Sequence, residues 1–101
     1  MTVCYNVLQI IESNNMDNII QDLRLLSSKY LLVNVSLGGV FQRDYTYYID
    51  LFEKYSSLFT VLDKHQQSNE YSISGKNLDT NEVFFDRKFQ IQTGCFLLKV
   101  I

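Results

Sequence analysis

The pair Gly38-Gly39 constrains this chain more than any other feature, because it separates two segments in which apolar and polar side chains alternate. A two-residue β-turn needs positive φ angles at its centre, and glycine adopts such angles without steric cost. The alternation, with a period of two residues, is typical of β-strands. The sequence therefore predicts a long β-hairpin over residues 30–51, with its turn at the two glycines.

The second arm of this hairpin, residues 41–51, has an alternative interpretation. Tyrosine, threonine and isoleucine recur in the segment and favour strands. Asp44, however, has the short acidic side chain that often caps a helix, so a helix continuing through Tyr48 and Ile49 is also compatible with the sequence. Because the glycine turn implies a returning strand, we predict a strand, with Arg43 on its apolar face.

The remaining elements follow from hydrophobic periodicity. Residues 2–11 carry apolar side chains on both faces, which predicts a central strand. Apolar residues then recur at spacings of three and four between Met16 and Tyr30, which predicts an amphipathic helix whose cap lies within residues 13–15. A second helix is expected over residues 51–62, and strands are expected over residues 70–74, 82–92 and 95–101, with a loop at 75–81 and a tight turn at Thr93-Gly94.

The order of these predicted elements is β-α-β-β-α-β followed by one more hairpin. This order resembles the ferredoxin-like arrangement, here with an additional C-terminal β-hairpin and with the sheet packed against two helices. At 101 residues the chain has the length of one domain, so we expect a single α+β domain over residues 1–101. The resemblance is one of topology, and this fold hosts many unrelated activities.

Composition argues against several classes of protein. The net charge is −2 and the Lys and Arg residues are spread along the chain, which makes nucleic acid an unlikely partner. No segment has the apolar length of a membrane span or the layout of a signal peptide. The two cysteines, Cys4 and Cys95, lie far apart in the sequence, which favours reduced thiols over a disulfide scaffold. We therefore expect a cytoplasmic protein that contacts no membrane.

No group of residues predicts catalysis. His65 is the only histidine, which excludes a metal site with several imidazole ligands, and a Cys-His pair could involve only Cys4 or Cys95. Cysteines in core strands are usually buried and inert. We therefore expect two buried thiols and a solvated histidine at a helix end, with no catalytic residue, no metal and no cofactor.

Aromatic residues are dense near the middle of the chain, where Tyr45, Tyr47 and Tyr48 lie within four residues. In a strand, Tyr48 faces away from the other two. Phe84 stands among charged residues of a later strand, on the face opposite Phe89. Because exposed aromatic side chains give a large contact area at low entropic cost, we predict that Tyr45, Tyr47, Tyr48 and Phe84 form a partner-binding surface. The alternative is that Tyr45 and Tyr47 only pack over a helix.

These features favour a small non-enzymatic intracellular protein-binding module, an inhibitor or regulator of a larger protein or complex. A homodimer formed through the sheet is compatible with that role. Two other hypotheses stay open at this point. A dimeric α+β barrel enzyme or ligand-binding protein would enclose an apolar pocket. A single-stranded nucleic-acid-binding domain would use Phe84, beside Lys88, as a stacking platform.

Overall fold

A computed structural model describes the whole chain from Met1 to Ile101. In chain order its elements are β1 (Thr2–Tyr5), α1 (Met16–Leu26), β2 (Tyr30–Ser36), α2 (Tyr45–Lys54), β3 (Phe59–Lys76) and β4 (Val83–Val100). Two short 3-10 turns, Leu8–Ile10 and Ser13–Asn15, lie between β1 and α1. Neither α-helix has the length and apolar character needed to cross a lipid bilayer.

The four strands form one mixed sheet in the order β1-β2-β4-β3. Strands β1 and β2 are parallel and are connected through α1, whereas β4 runs antiparallel to both β2 and β3. The predicted α+β class is therefore confirmed. The predicted ferredoxin-like order with an additional hairpin is not observed, because the elements follow one another as β-α-β-α-β-β.

The segment predicted as the second hairpin arm forms helix α2, so the strand prediction is wrong and the helical alternative is the observed one. Asp44 is the N-cap, and its Oδ1 accepts a hydrogen bond of 2.8 Å from the backbone N–H of Tyr47. The helix buries Tyr48 and Phe52 in the core. This packing outweighs the strand preference of the tyrosines, because β-propensity depends strongly on tertiary context.

Gly38 and Gly39 do reverse the chain, with φ angles of 80° and 74°. Backbone hydrogen bonds of 2.6 Å and 3.3 Å join Gly38 and Arg43 in both directions and close the loop. The chain then enters α2 instead of a returning strand. The antiparallel partner of β2 is β4, which pairs along the full length of β2.

The predicted second helix, residues 51–62, is wrong beyond its first turn. Helix α2 ends at Lys54, and β3 begins at Phe59. The register of β3 against β4 shifts between Val61 and Asp63, so Leu62 falls outside the regular pairing. The bulge adds Leu62 to the strand, so this residue completes a helical spacing of apolar residues that begins in α2 without being part of a helix.

The predicted turn at Thr93-Gly94 is also wrong, since β4 passes through both residues without a break. A Cβ atom on Gly94 would lie 3.1 Å from the ring of Phe96 and 3.5 Å from that of Tyr45. Glycine at this position therefore permits close packing of aromatic rings within a strand and does not mark a turn.

The first two predicted elements are present but shorter than expected. The strand predicted over residues 2–11 ends at Tyr5, where Asn6 adopts a φ of 54° and turns the chain away from the sheet. The helix predicted between residues 13 and 30 is observed as α1, Met16–Leu26, with Met16 and Ile20 buried.

The hydrophobic core lies on one face of the sheet, beneath both helices, and aromatic rings fill much of it. The ring centroid of Phe96 lies 4.9 Å from that of Phe52 and 5.5 Å from that of Tyr45. The buried members of the core are Cys4, Leu8, Met16, Ile20, Leu31, Val33, Val35, Tyr48, Leu51, Phe52, Tyr55, Phe59, Phe96 and Leu98.

Candidate functional site

Strands β3 and β4 extend far beyond the rest of the sheet. Each is 18 residues long, whereas β2 has seven residues and its pairing with β4 ends at Ser36 and Thr93. Past that point, residues 68–76 and 83–92 pair with each other, and the only backbone bond to the rest of the sheet is at Gln92, whose carbonyl accepts a 2.8 Å hydrogen bond from the Leu37 N–H. We call this two-stranded segment, with its turn, the ribbon, and we call the rest of the molecule the body.

The ribbon gives the molecule an elongated shape. Its principal dimensions are 52 × 26 × 23 Å. The radius of gyration is 16.4 Å, whereas a compact chain of this length has about 13 Å. The ribbon therefore projects from the body with no helix or third strand packed against it.

The two sides of the ribbon differ in chemistry. The cross-strand pair Tyr71 and Phe89 stacks with ring centroids 5.7 Å apart, and both rings remain partly exposed, at 44% and 38%. This side, which we call the aromatic face, carries Tyr71, Ile73, Phe84, Phe89 and Ile91, and it also includes Asn69 and Arg87. The other side is polar and consists of Ser68, Glu70, Ser72, Lys88 and Gln90. The ribbon is thus amphipathic, yet nothing covers its apolar side.

A bulge in β4 brings Phe84 onto the aromatic face. The pairing shifts between Ile73 and Gly75, and Asp86 adopts a φ of 49° while its N–H donates a 3.1 Å hydrogen bond to Ser74 Oγ. Strict alternation along β4 predicts that Phe84 and Phe89 lie on different sides of the strand. The extra residue instead turns the Phe84 ring over Gly75, where the absent side chain leaves room for it.

The tip of the ribbon is held in shape by Asn77 and presents an apolar side chain. The Oδ1 atom of Asn77 accepts a 2.9 Å hydrogen bond from the N–H of Asp79, and the N–H of Asn77 donates to the Glu82 carbonyl at 2.8 Å. Leu78, within this turn, is 87% exposed, and Phe85 nearby is 76% exposed. Both side chains are available to contact another molecule.

The aromatic face continues onto the side of the sheet that faces away from the helices, which we call the uncovered face. Here Tyr5, Asn34, Cys95 and His65 are consecutive cross-strand partners, so they form one row across all four strands. Where this row meets the base of the ribbon there is a groove of about 350 Å³. It is lined by Tyr5, Asn6, Asn34, Ser36, Gln67, Asn69, Tyr71, Ile91 and Thr93, none of which is charged.

The row places His65, the only histidine, beside Cys95. The surroundings of Cys95 do not make its thiol a nucleophile. Asn34 Nδ2 donates a hydrogen bond of 3.2 Å to the sulfur of Cys95. Burial raises the pKa of the Cys95 thiol, and the Asn34 hydrogen bond opposes that effect only in part. A thiol held in its protonated form is a poor nucleophile and a poor metal ligand.

The two cysteines are separate from each other. Cys4 lies in the core on the helix-covered side, whereas Cys95 lies on the uncovered face, and β2 runs between their strands. Both are free thiols. No cluster of three or more His, Cys, Asp or Glu side chains in the chain has the geometry to hold a metal ion.

The structure separates the four residues that the sequence predicted as a partner-binding surface. Tyr48 is completely buried, with its ring in the core near Phe96. The ring of Tyr45 stacks on that of Phe96, and the centroids of the Tyr47 and Tyr48 rings lie 5.1 Å apart in an edge-to-face arrangement. Tyr45 and Tyr47 are both half-buried and pack against the core. Only Phe84 lies on the ribbon.

Arg43 is a buried residue whose role the sequence did not indicate. It is 4% exposed, donates hydrogen bonds to the Leu8 carbonyl at 2.9 Å and to Ser13 Oγ at 3.2 Å, and lies over the rings of Phe41 and Tyr47. These contacts tie the start of α2 to the segment before α1. Arg43 therefore stabilises the body, and it also contributes to the lining of a groove of about 510 Å³.

Sequence reasoning missed the ribbon residues Tyr71, Ile73, Leu78 and Phe89 as candidate contacts. The alternation that places them on one side was visible, but in a sequence such alternation is typical of strands that face a core. A signal was available in Leu78, an apolar residue within a stretch of turn-forming residues.

Comparison of this chain with protein-family models, with curated proteins and with solved structures finds no match. The candidate site is therefore defined by the geometry of the ribbon, the groove and the uncovered face.

Proposed function

We propose that this chain is a non-enzymatic protein-binding module, an inhibitor or regulator that holds a larger protein through its ribbon and uncovered face. The observation that carries the proposal is the aromatic face, a largely apolar strip that projects from the body with no helix or third strand covering it. A two-stranded hairpin is marginally stable by itself in water. A partner that covers the aromatic face would stabilise the ribbon and gain affinity from the same contacts.

The aromatic residues on the ribbon are suited to that role. Tyr71 and Phe89 already stack on each other, so little side-chain entropy is lost when a partner covers them. Burying the exposed part of such a ring contributes about 1–2 kcal/mol at roughly 25 cal/mol per Å². Leu78 and Phe85 add apolar contacts at the tip.

The charge of the ribbon favours a protein over a nucleic acid as partner. Residues 68–92 contain three cationic and four acidic side chains. Proteins that stack single-stranded nucleic acid on aromatic residues also provide a positive groove, which this balance of charges does not supply. Fixed mixed charges at the rim of an apolar strip are typical of protein interfaces.

The backbone of the ribbon offers a second means of contact. Because β3 and β4 pair only with each other in this region, each has one free hydrogen-bonding edge. A partner strand added to either edge would combine main-chain hydrogen bonds with contacts to the aromatic face. Free thiols at Cys4 and Cys95 agree with action inside the cell, in the cytoplasm.

The proposal is tested by affinity capture with matched variants. Tyr71→Lys and Phe85→Lys place a charge on the ribbon, and Ile10→Lys places the same charge on a side chain of the body that is 67% exposed. Proteins captured by the original chain and by Ile10→Lys, but lost with both ribbon variants, would support the proposal. Equal recovery by the ribbon variants would contradict it.

A further inference from the structure

The groove of about 350 Å³ at the base of the ribbon is lined by neutral polar groups. Six of its nine lining residues carry an amide or an aliphatic hydroxyl, two are tyrosines and one is Ile91. Sites for small molecules are usually lined mainly by apolar side chains and have volumes of about 300–1,000 Å³. A groove of this size and lining therefore suits a small ligand that is itself polar and uncharged.

The floor of the groove holds a buried hydroxyl that has no partner. Thr93 is only 6% exposed, and its cross-strand neighbours are Ser36 on β2 and Gln67 on β3. The Thr93 hydroxyl lines the groove and makes no hydrogen bond within the chain. Buried hydroxyls in folded proteins normally have a hydrogen-bond partner. A ligand group in the groove would supply the partner that the fold does not.

Two asparagines beside Thr93 are held in defined orientations. Asn34 Nδ2 donates a 3.2 Å hydrogen bond to Cys95 Sγ, which leaves Asn34 Oδ1 as an acceptor. Ser36 Oγ donates at 3.0 Å to Asn6 Oδ1, which leaves Asn6 Nδ2 as a donor. Asn6 is fixed by its φ of 54° and by a 2.8 Å bond from its N–H to the Asn34 carbonyl. The groove thus presents donors and acceptors side by side, which matches alcohol groups, since each can donate and accept.

Tyrosine rings stand on two sides of this polar floor. Tyr5 is 62% exposed and Tyr71 is 44% exposed, and both line the groove. The Tyr71 ring is already held by its stacking on Phe89. The face of an aromatic ring carries partial negative charge, so it attracts the weakly positive C–H groups of a ring-shaped ligand. A sugar ring offers such C–H groups on its faces and hydroxyls around its rim.

Other small ligands fit the groove less well. Phosphates and carboxylates are bound by arginine, lysine or helix N-termini, and the lining contains none of these. An extended peptide gains much of its affinity from main-chain hydrogen bonds at an open strand edge. The groove lies on the face of the sheet, where the backbone of β4 at Thr93 is already paired on both sides. Only side chains are left to contact a ligand here.

We propose that this groove binds a neutral carbohydrate of roughly one or two sugar rings. The Thr93 hydroxyl and the amides of Asn6 and Asn34 bond to its hydroxyl groups. Tyr5 and Tyr71 pack against its C–H faces. Sugar binding in the groove is independent of the partner contact proposed above, because the tip of the ribbon takes no part in it.

The proposal is tested by nuclear magnetic resonance titration of the ¹⁵N-labelled chain. The probes are the methyl glycosides of glucose, galactose, mannose and N-acetylglucosamine, together with maltose and cellobiose. At least one is expected to bind with a Kd on the order of 1 mM, shifting the side-chain amide signals of Asn6, Asn34 and Asn69. Uracil and N-acetylglycine amide, which are neutral and polar but have no sugar ring, are expected to leave these signals unchanged.

Two substitutions in the groove have matched controls outside it. Thr93→Val keeps the shape of the side chain and is expected to weaken sugar binding about three- to tenfold. Its melting temperature should be unchanged or higher, because the lost hydroxyl had no partner. Tyr5→Ala removes an exposed ring and is expected to weaken binding by a similar factor. Thr60→Val and Phe85→Ala make the same changes at exposed positions outside the groove and should leave binding unchanged.

Three results would overturn the proposal. They are no shift of the groove signals with any of the sugars, sugar binding by Thr93→Val as tight as by the original chain, or occupation of the groove by uracil or the amide instead of a sugar. Failure here is distinguishable from failure of the proposed function. Phe85→Lys is expected to lose partner capture and keep sugar binding, whereas Thr93→Val is expected to do the reverse.

Discussion

Strand β4 passes through two regions that differ sharply, and comparing them shows what an alternating sequence does and does not determine. In the body, Phe96 is fully buried among Phe52, Tyr45 and Tyr48. In the ribbon, Phe89 stacks on Tyr71 alone and stays 38% exposed. Both phenylalanines belong to the same kind of pattern. Alternation therefore identifies an apolar side of a strand, but it does not identify what covers that side.

The largest expected effect comes from making the same substitution in both regions. Phe96→Ala should lower the free energy of unfolding by about 3–5 kcal/mol, because it leaves a cavity in an aromatic core. Phe89→Ala should cost less than about 1 kcal/mol, since the ring is partly exposed and has one aromatic neighbour. Urea denaturation of both variants measures the difference. Similar losses from the two substitutions would mean that the ribbon belongs to the folding core.

Two arginines sharpen the comparison for polar side chains. Arg43→Met should destabilise the body by about 2–3 kcal/mol, because it leaves the buried Leu8 carbonyl without its donor. Arg87 lies over the Phe84 ring at 5.4 Å in the exposed ribbon, so Arg87→Met should cost about 0.5–1 kcal/mol or less. Thermal melts of the two variants provide the measurement. A larger loss of stability for Arg87→Met than for Arg43→Met would contradict the view that the body, and not the ribbon, holds the stabilising polar contacts.

The body should also lose stability at alkaline pH through Tyr55. Burial and the hydrogen bond from its hydroxyl to Asp17, 2.8 Å long, raise the pKa of Tyr55 to about 12. An unfolded tyrosine ionises near pH 10. The folded state therefore holds the proton more tightly, and the stability contributed by Tyr55 is complete below pH 10 and is lost as the pH rises toward 12.

The check is a series of urea denaturations across that pH range. Tyr55→Phe removes the titrating hydroxyl, so its stability should fall less steeply with pH than that of the original chain. Burial raises the pKa of Tyr48 as well, in the same direction, so some alkaline loss should remain in the variant. An identical slope in both proteins would contradict the assignment to Tyr55.

The smallest expected effects concern two exposed carboxylates. Asp44→Ala removes the N-cap of α2 and should cost about 1 kcal/mol. Glu70 pairs with Lys88 on the polar side of the ribbon at 3.6 Å, with both side chains more than half exposed, so Glu70→Ala should change stability by less than about 0.5 kcal/mol. A loss for Glu70→Ala as large as that for Asp44→Ala would show that surface charges hold the ribbon in place.

Part of the fold could be predicted from the sequence. The positions of α1 and β2 and the chain reversal at Gly38-Gly39 follow from local pattern and backbone preference. Whether residues 45–54 form a helix or a strand could not be decided in the same way, because Asp44 favours a helix while its neighbouring tyrosines favour a strand. The packing of Tyr48 and Phe52 in the core selects the helix. Local signals were balanced there, and tertiary contacts determine the outcome.

The candidate site was harder to predict for a different physical reason. The sequence predicts a turn at Gly94. In the structure the missing side chain of Gly94 leaves room for the Phe96 ring, and a single strand, Val83–Val100, replaces the two predicted strands on either side of the glycine. The Asp86 bulge likewise moves Phe84 to the other side of the ribbon. Neither feature has a local sequence signature, since each depends on residues that are distant in the chain. A ribbon of this length therefore becomes visible only in the folded structure.

The most direct test of the distinction between body and ribbon is the unfolding free energy of a chain without the ribbon. Ser68 and Gln92 are cross-strand partners, so residues 69–91 can be replaced by a two-residue Asn-Gly turn that closes the shortened hairpin. Because the ribbon contributes nothing to the core, the shortened chain is expected to fold cooperatively with an unfolding free energy within about 1 kcal/mol of the original. A loss of several kcal/mol, or failure to fold, would contradict the account.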